Sequence, residues 1–245
     1  MTNVAKKIWI TLFGIASLIL VSCQTLSFKN EEWIRGDETY YLINSDTILD
    51  DITSGKTNIF SQQTVTPQPP LSQSLRTVQW TQKDYLSIAE TLHESVWNAP
   101  IADWNLRYVL FAMNCEDLSK GPQSAYFILY KVVEKNQQKT RFEHKIYVDP
   151  SNNSVSWSED EYRPSLVTQH PIELSKHAVS ITEALQIAEE NGGQTARTEE
   201  ANQCKVSGEL INSSDNWRVS YTKTLDVFEI DINAFNGKYK ILDVE

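Results

Sequence analysis

Three cysteines and four histidines are few for a chain of 245 residues, and these are the side chains most used for metal binding and nucleophilic catalysis. The chain also lacks a GxSxG elbow, an HExxH pair and a glycine-rich phosphate loop. Those absences remove the sequence signatures of a serine hydrolase, a zinc peptidase and a nucleotide-binding enzyme. Basic charge is scarce too, with 22 Lys and Arg against 32 Asp and Glu, a net charge of −10. A surface of that sign repels phosphate backbones and anionic headgroups, so no nucleic-acid partner is expected. A long hydrophobic run is missing as well. Ile8 to Val21 carries no charge, but it is too short for a comfortable spanning helix, which needs about 20 apolar residues.

What is present at the start fits export instead. Lys6 and Lys7 precede the apolar run, which closes on Leu20-Val21-Ser22-Cys23. This ending resembles the bacterial lipobox, so residues 1–22 read as a lipoprotein signal peptide and Cys23 as the lipidated first residue of the mature chain. The thiol would carry a thioether-linked diacylglycerol, and the small Ser22 would admit the signal peptidase. Acyl chains then hold the protein through buried methylenes, each worth roughly 0.8 kcal/mol. The expected location is the bacterial cell envelope, lipid-anchored and facing the extracytoplasmic side. Losing Lys6 and Lys7 leaves 20 basic against 32 acidic side chains, a net charge of −12, so the lipid on Cys23 rather than a basic patch must provide the membrane contact.

Two cysteines then remain, Cys115 and Cys204. An oxidising compartment lets a disulfide persist, but two cysteines are too few for a stapled scaffold. They either bridge or stay as buried thiols. The core must come from apolar bulk, which 7 Trp, 10 Tyr and 8 Phe supply.

Residues 61–75 are rich in Gln, Ser and Pro and read as a linker, so 23–75 is taken as a lipid-anchored tether and an unclassified segment. Its stretch Glu31 to Phe60 is too apolar for disorder and can lend a strand to the region after the linker. In that region, Thr81 to Glu90 aligns with Ser180 to Glu189 at a constant offset of 99. Each opens on a hydroxyl residue followed three later by an acid, the capping-box arrangement, and continues with one apolar helical face. The first helix runs to about Trp97, and the second stops at Asn191-Gly192-Gly193. Strand-like segments follow each: Trp104 to Met113, Ala125 to Val133, Arg141 to Val148 and Val155 to Trp157, then Cys204 to Ile211, Trp217 to Thr222, Asp226 to Ile232 and Tyr239 to Val244. Asn153 and Gly237 are expected at matching left-handed turn positions. The expected fold class is therefore α+β, with two tandem units at 76–165 and 175–245. Each unit would be a helix packed on an antiparallel sheet of three to four strands.

The second unit resembles the PepSY domain in ITEALQIAEENGG, in Trp217-Arg218-Val219, and in EIDINAFNGKYKIL. The first resembles a diverged copy, with Asn153 where the family has glycine, and Asn233 replaces the usual Asp in the second. The resemblance implies binding to, or inhibition of, an exported protein such as a peptidase, and it brings no catalytic residues.

The remaining chemistry-bearing residues read as structural. His170 and His177 are seven apart but are separated by Pro171, which argues against a shared metal. His144 is expected packed on a sheet face, and His93 beside Glu94 at the surface. Glu189-Glu190 and Glu199-Glu200 suit solvated helix ends better than acid–base work. Trp97, Trp104, Tyr108 and Phe111 are expected in core packing, with a groove as the alternative. No catalytic residue, metal or cofactor is expected. The sequence thus leads to a non-enzymatic, membrane-anchored binding or inhibitory protein acting on an exported peptidase or envelope assembly. The alternative is a small-molecule or metal sensor using a cleft between the two units.

Overall fold

The computed structural model describes residues 32–56, 59–60, 79–115, 118, 121–163, 170–198, 204–211, 214–222 and 227–242. The proposed signal peptide, Cys23 and the 61–75 linker lie outside these residues.

Two short strands, β1 (Glu32–Arg35) and β2 (Thr39–Leu42), lead into a helix, α1 (Ile48–Thr53). Helix α2 (Gln82–Trp97) precedes β3 (Asn105–Asn114), β4 (Ser124–Lys135), β5 (Gln138–Asp149) and β6 (Ser154–Arg163). Helix α3 (Ile181–Ala188) and the short α4 (Gln194–Thr198) precede β7 (Lys205–Ile211), β8 (Asn216–Thr222), β9 (Val227–Asn233) and β10 (Tyr239–Leu242).

Local chemistry accounts for the element ends. Thr81 and Ser180 each form a complete capping box, with Asp84 and Glu183 returning the bond to the cap backbone. Asn98 closes α2 in the left-handed region. After α3 the chain kinks at Asn191 and Gly192, whose φ is 119°. Asn136 and Gln137 both have positive φ, the geometry of a two-residue hairpin turn, so β4 and β5 run on to Lys135 and Gln138. Those ends extend beyond the expected Val133 and Arg141, because neither turn residue is the glycine that usually announces such a turn.

The expected pair of tandem helix-on-sheet units is overturned. Among the described residues, all ten strands belong to one antiparallel sheet in the order β1-β6-β5-β4-β3-β7-β8-β9-β10, with β2 also pairing to β6. The joint is the β3–β7 ladder, which runs from Tyr108↔Ile211 to Asn114↔Lys205. Left apart, β3 and β7 would each present a row of unpaired backbone groups, and pairing with each other satisfies both rows. Apolar alternation looks the same whether a strand is an edge or an interior one, so this joint leaves no mark in either segment alone. At the far edge β1 and β2 both pair with β6, so residues 32–35 and 39–42 add to the sheet.

The buried apolar residues form one cluster across the joint. Tyr85 of α2 meets Phe111 of β3 edge-on at 5.8 Å, and Phe111 in turn lies 6.2 Å from Trp217 of β8. Trp217 donates its indole N–H to the Val179 carbonyl at 2.9 Å. Gly208 faces Phe111 across the ladder, and the Ile181 side chain fills the space that a β-carbon at Gly208 would take. The helix starts also meet, since the Gln82 side-chain carbonyl accepts the Ile181 N–H at 3.0 Å. Helices α2 and α3 thus cover the same face of the sheet.

Candidate functional site

The last turns of α2 bring His93 and Trp97 to one helical face, as residues four apart must be. Beneath them, β5 turns His144 inward, the chain entering β3 supplies Trp104, and β6 supplies Trp157 and Glu159. The His144 ring is sandwiched between Trp97, at 3.7 Å and 8°, and Trp104, at 3.8 Å and 26°. Its Nδ1 lies 3.0 Å from Nε2 of His93, so one imidazole donates and the other accepts. Glu159 accepts the Trp97 indole N–H at 3.1 Å and stands 3.8 Å from His144 Nε2, beyond hydrogen-bond reach.

Burial dominates the electrostatics of this cluster. It lowers His93 to about 4, and it lowers His144 to about 3 with His93 itself adding to the effect. Both rings are neutral near pH 7 and bonded to each other. His93 is 0 % exposed, which corrects the expected surface position. The signal was available in the sequence, because Tyr85, Ile88, Ala89, Leu92 and His93 share one helical face.

Trp104 also lines a pocket of about 350 Å³ between α2, the start of β3 and the 172–175 connector. Leu86, Ala89, Leu106, Leu129, Ile172 and Leu174 supply its apolar wall. The connector is held there by Ile172, whose N–H donates to the Leu106 carbonyl at 2.8 Å. Two carboxylates line the pocket as well. Glu173 is paired with Lys176 at 2.6 Å. Glu90 has no hydrogen-bond or ion-pair partner among the described residues, and burial, then the nearby Glu94, pushes its carboxyl up.

The opposite face of the sheet is polar. Glu143, fully buried, is held by Arg107 and by Arg141, the latter at 2.8 Å, and Arg141 lies over the Tyr162 ring at 4.1 Å. Lys145 pairs with the buried Asp160, and the Tyr108 hydroxyl donates to Glu209 at 2.6 Å. A second pocket of about 260 Å³ opens here among Arg35, Glu38, Tyr126, Lys145 and Ser158.

Of the aromatic group singled out in the sequence, Trp97 and Trp104 meet at His144. Phe111 is in the core, and Tyr108 lies on the other face. Cys115 and Cys204 form a disulfide with a Cα separation of 5.7 Å, just past β3 and just before β7. His177 packs edge-on against Phe235 at 5.0 Å, whereas His170 is exposed. Glu189 accepts bonds from Tyr221 and Arg197, and Glu190 accepts one from Gln186. Cys23, Glu199 and Glu200 lie outside the described residues. No group of three or more metal-ligating side chains converges among the described residues, and no described helix is long and apolar enough to cross a membrane.

No protein-family model and no curated protein matches the chain, so the PepSY resemblance rests on the quoted motifs alone. Among solved structures, the chain is similar to one from Clostridium difficile 630 described as a "putative lipoprotein". The identity is 14% and the TM-score 0.41, over 69% of this chain and 95% of that one. A MaoC-like dehydratase from Phytophthora capsici matches at 8% identity and a TM-score of 0.19, over 84% of this chain and 93% of that one. Likenesses this distant assign neither a fold nor an activity.

Proposed function

We propose that the protein is a lipid-anchored binding protein of the extracytoplasmic face, held through Cys23, and that it binds in the pocket beneath α2. The observation that carries this reading is the pocket itself. It is concave, mostly apolar and bounded by four separate parts of the chain, at the small end of the roughly 300–1,000 Å³ range of ligand sites. The anchor rests on the Leu20-Val21-Ser22-Cys23 motif. A disulfide between Cys115 and Cys204 suits the oxidising space outside the cytoplasm.

The neutral histidine pair beside the pocket supports binding rather than turnover. A general base works best with a pKa near the working pH, and both rings are far below it, with one nitrogen of each committed to the other. The same pocket suits a free small molecule or an apolar side chain offered by an exported partner. Inhibition of a peptidase, which the PepSY resemblance implies, would use it in the second way.

Melting curves test this reading, since a ligand that binds only the folded state raises its stability. Small apolar compounds are expected to raise the melting temperature of the protein. The rise should disappear in Ala102→Trp, which places an indole at the exposed rim of the pocket. Compounds that never raise the melting temperature, or that raise it equally in the variant, would overturn the assignment.

A further inference from the structure

We infer that the pocket beneath α2 is selective for a small apolar amine, whose ammonium group meets Glu90 while its hydrocarbon part lies against Trp104 and Leu129. This inference rests on the pocket being the binding site and adds the class of ligand.

The walls and the charges point to the same chemistry. Leu86, Leu106, Leu129, Ile172 and Leu174 reward hydrocarbon and leave polar substituents unsatisfied. Both ionisable side chains on the wall, Glu90 and Glu173, are acids. Lys176 already compensates Glu173. Lys131, the basic side chain that follows Leu129 by two positions on β4, is engaged by Asp103 at 3.4 Å. Glu90 is therefore left half-buried with no hydrogen-bond or ion-pair partner among the described residues, and Glu94 one turn away adds charge of the same sign.

A carboxylate in that position is disfavoured as an anion, in line with the raised pKa of Glu90. An ammonium brought in by a ligand supplies the missing counter-charge, whereas a carboxylate ligand adds a third negative group. Size sets the upper limit: about 350 Å³ suits a chain of a few carbons or a single ring, not a long acyl chain.

Three probes with the same six-carbon tail separate the possibilities: n-hexylamine, 1-hexanol and hexanoate, titrated into the purified full-length protein by calorimetry. The expected order is amine, then alcohol, then acid, with the amine at least ten-fold tighter than the alcohol. In Glu90→Gln that preference should vanish while hexanol binding stays. In Glu173→Gln the preference should persist, because Lys176 already neutralises that position. Should Glu90→Gln fail to fold, the three-probe comparison on the unaltered protein decides alone. Equal binding of all three probes, or an amine preference that survives Glu90→Gln, would overturn the amine assignment and leave the pocket as a binding site. Binding of none would overturn both.

Discussion

The imidazole of His144 lies parallel to the indole of Trp97, 3.7 Å away and tilted by 8°, with Trp104 on its other side and His93 at its edge. Two histidines have thus been taken out of water and kept neutral. Their pKa values, about 4 for His93 and about 3 for His144, fall below the ordinary value of 6.5. Between those limits the unfolded chain binds more protons than the folded one, so stability must fall as the pH falls.

Urea denaturation between pH 7 and pH 4 measures this loss. The unaltered protein should lose stability through that interval, and the double substitution His93→Phe with His144→Phe should lose less. Parallel pH profiles for the two proteins would show that the pair does not resist protonation.

The second prediction concerns the joint of the sheet. The Cys115–Cys204 bond spans 89 residues of sequence and sits at the end of the β3–β7 ladder. Closing a loop of that length stabilises by about 4 kcal/mol through the unfolded state. Cys115→Ser with Cys204→Ser should therefore lower the denaturation midpoint well beyond a typical surface change. Free thiols on both residues in protein taken from the cell envelope, or an unchanged midpoint, would contradict this.

Gly237 has a φ of 70°, and a β-carbon there would approach Ile187 Cδ1 at 3.3 Å. A β-branched side chain is strained in that region, so Gly237→Val should destabilise by more than about 1 kcal/mol. Equal stability of Gly237→Val and the unaltered protein would remove the reason for a glycine at this turn.

The left-handed positions Gly237 and Asn153 are legible in the sequence, as are the capping residues Thr81 and Ser180 and the strand centres. All of these are decided by neighbours within a few positions. The β3–β7 ladder is not legible there, because it joins residues such as Phe111 and Gly208 that lie about a hundred positions apart. Alternation shows that a strand has a buried face, but not which strand lies beside it. The site escapes a reading of the sequence for the same reason. Trp97, Trp104 and His144 each stand out, yet only the fold stacks them, and Glu90 is one acid among many until its surroundings are known.

The fourth prediction tests the anchor. Cys23→Ser should leave an unprocessed, unlipidated precursor, since the other two cysteines are far from the proposed signal peptide. Equal amounts of lipidated mature protein from the variant and the unaltered gene would contradict lipidation at Cys23.

Methyl-resolved NMR of the Leu and Ile side chains, during titration with 1-hexanol, tests the binding site most directly. Leu129, Ile172 and Leu174 line the pocket, whereas Leu42 and Ile241 are exposed on strands at the two ends of the sheet. Binding beneath α2 predicts saturable shifts at the first three residues and none at the last two. Shifts of equal size at Leu42 and Ile241, or no saturable change at the pocket methyls, would contradict it.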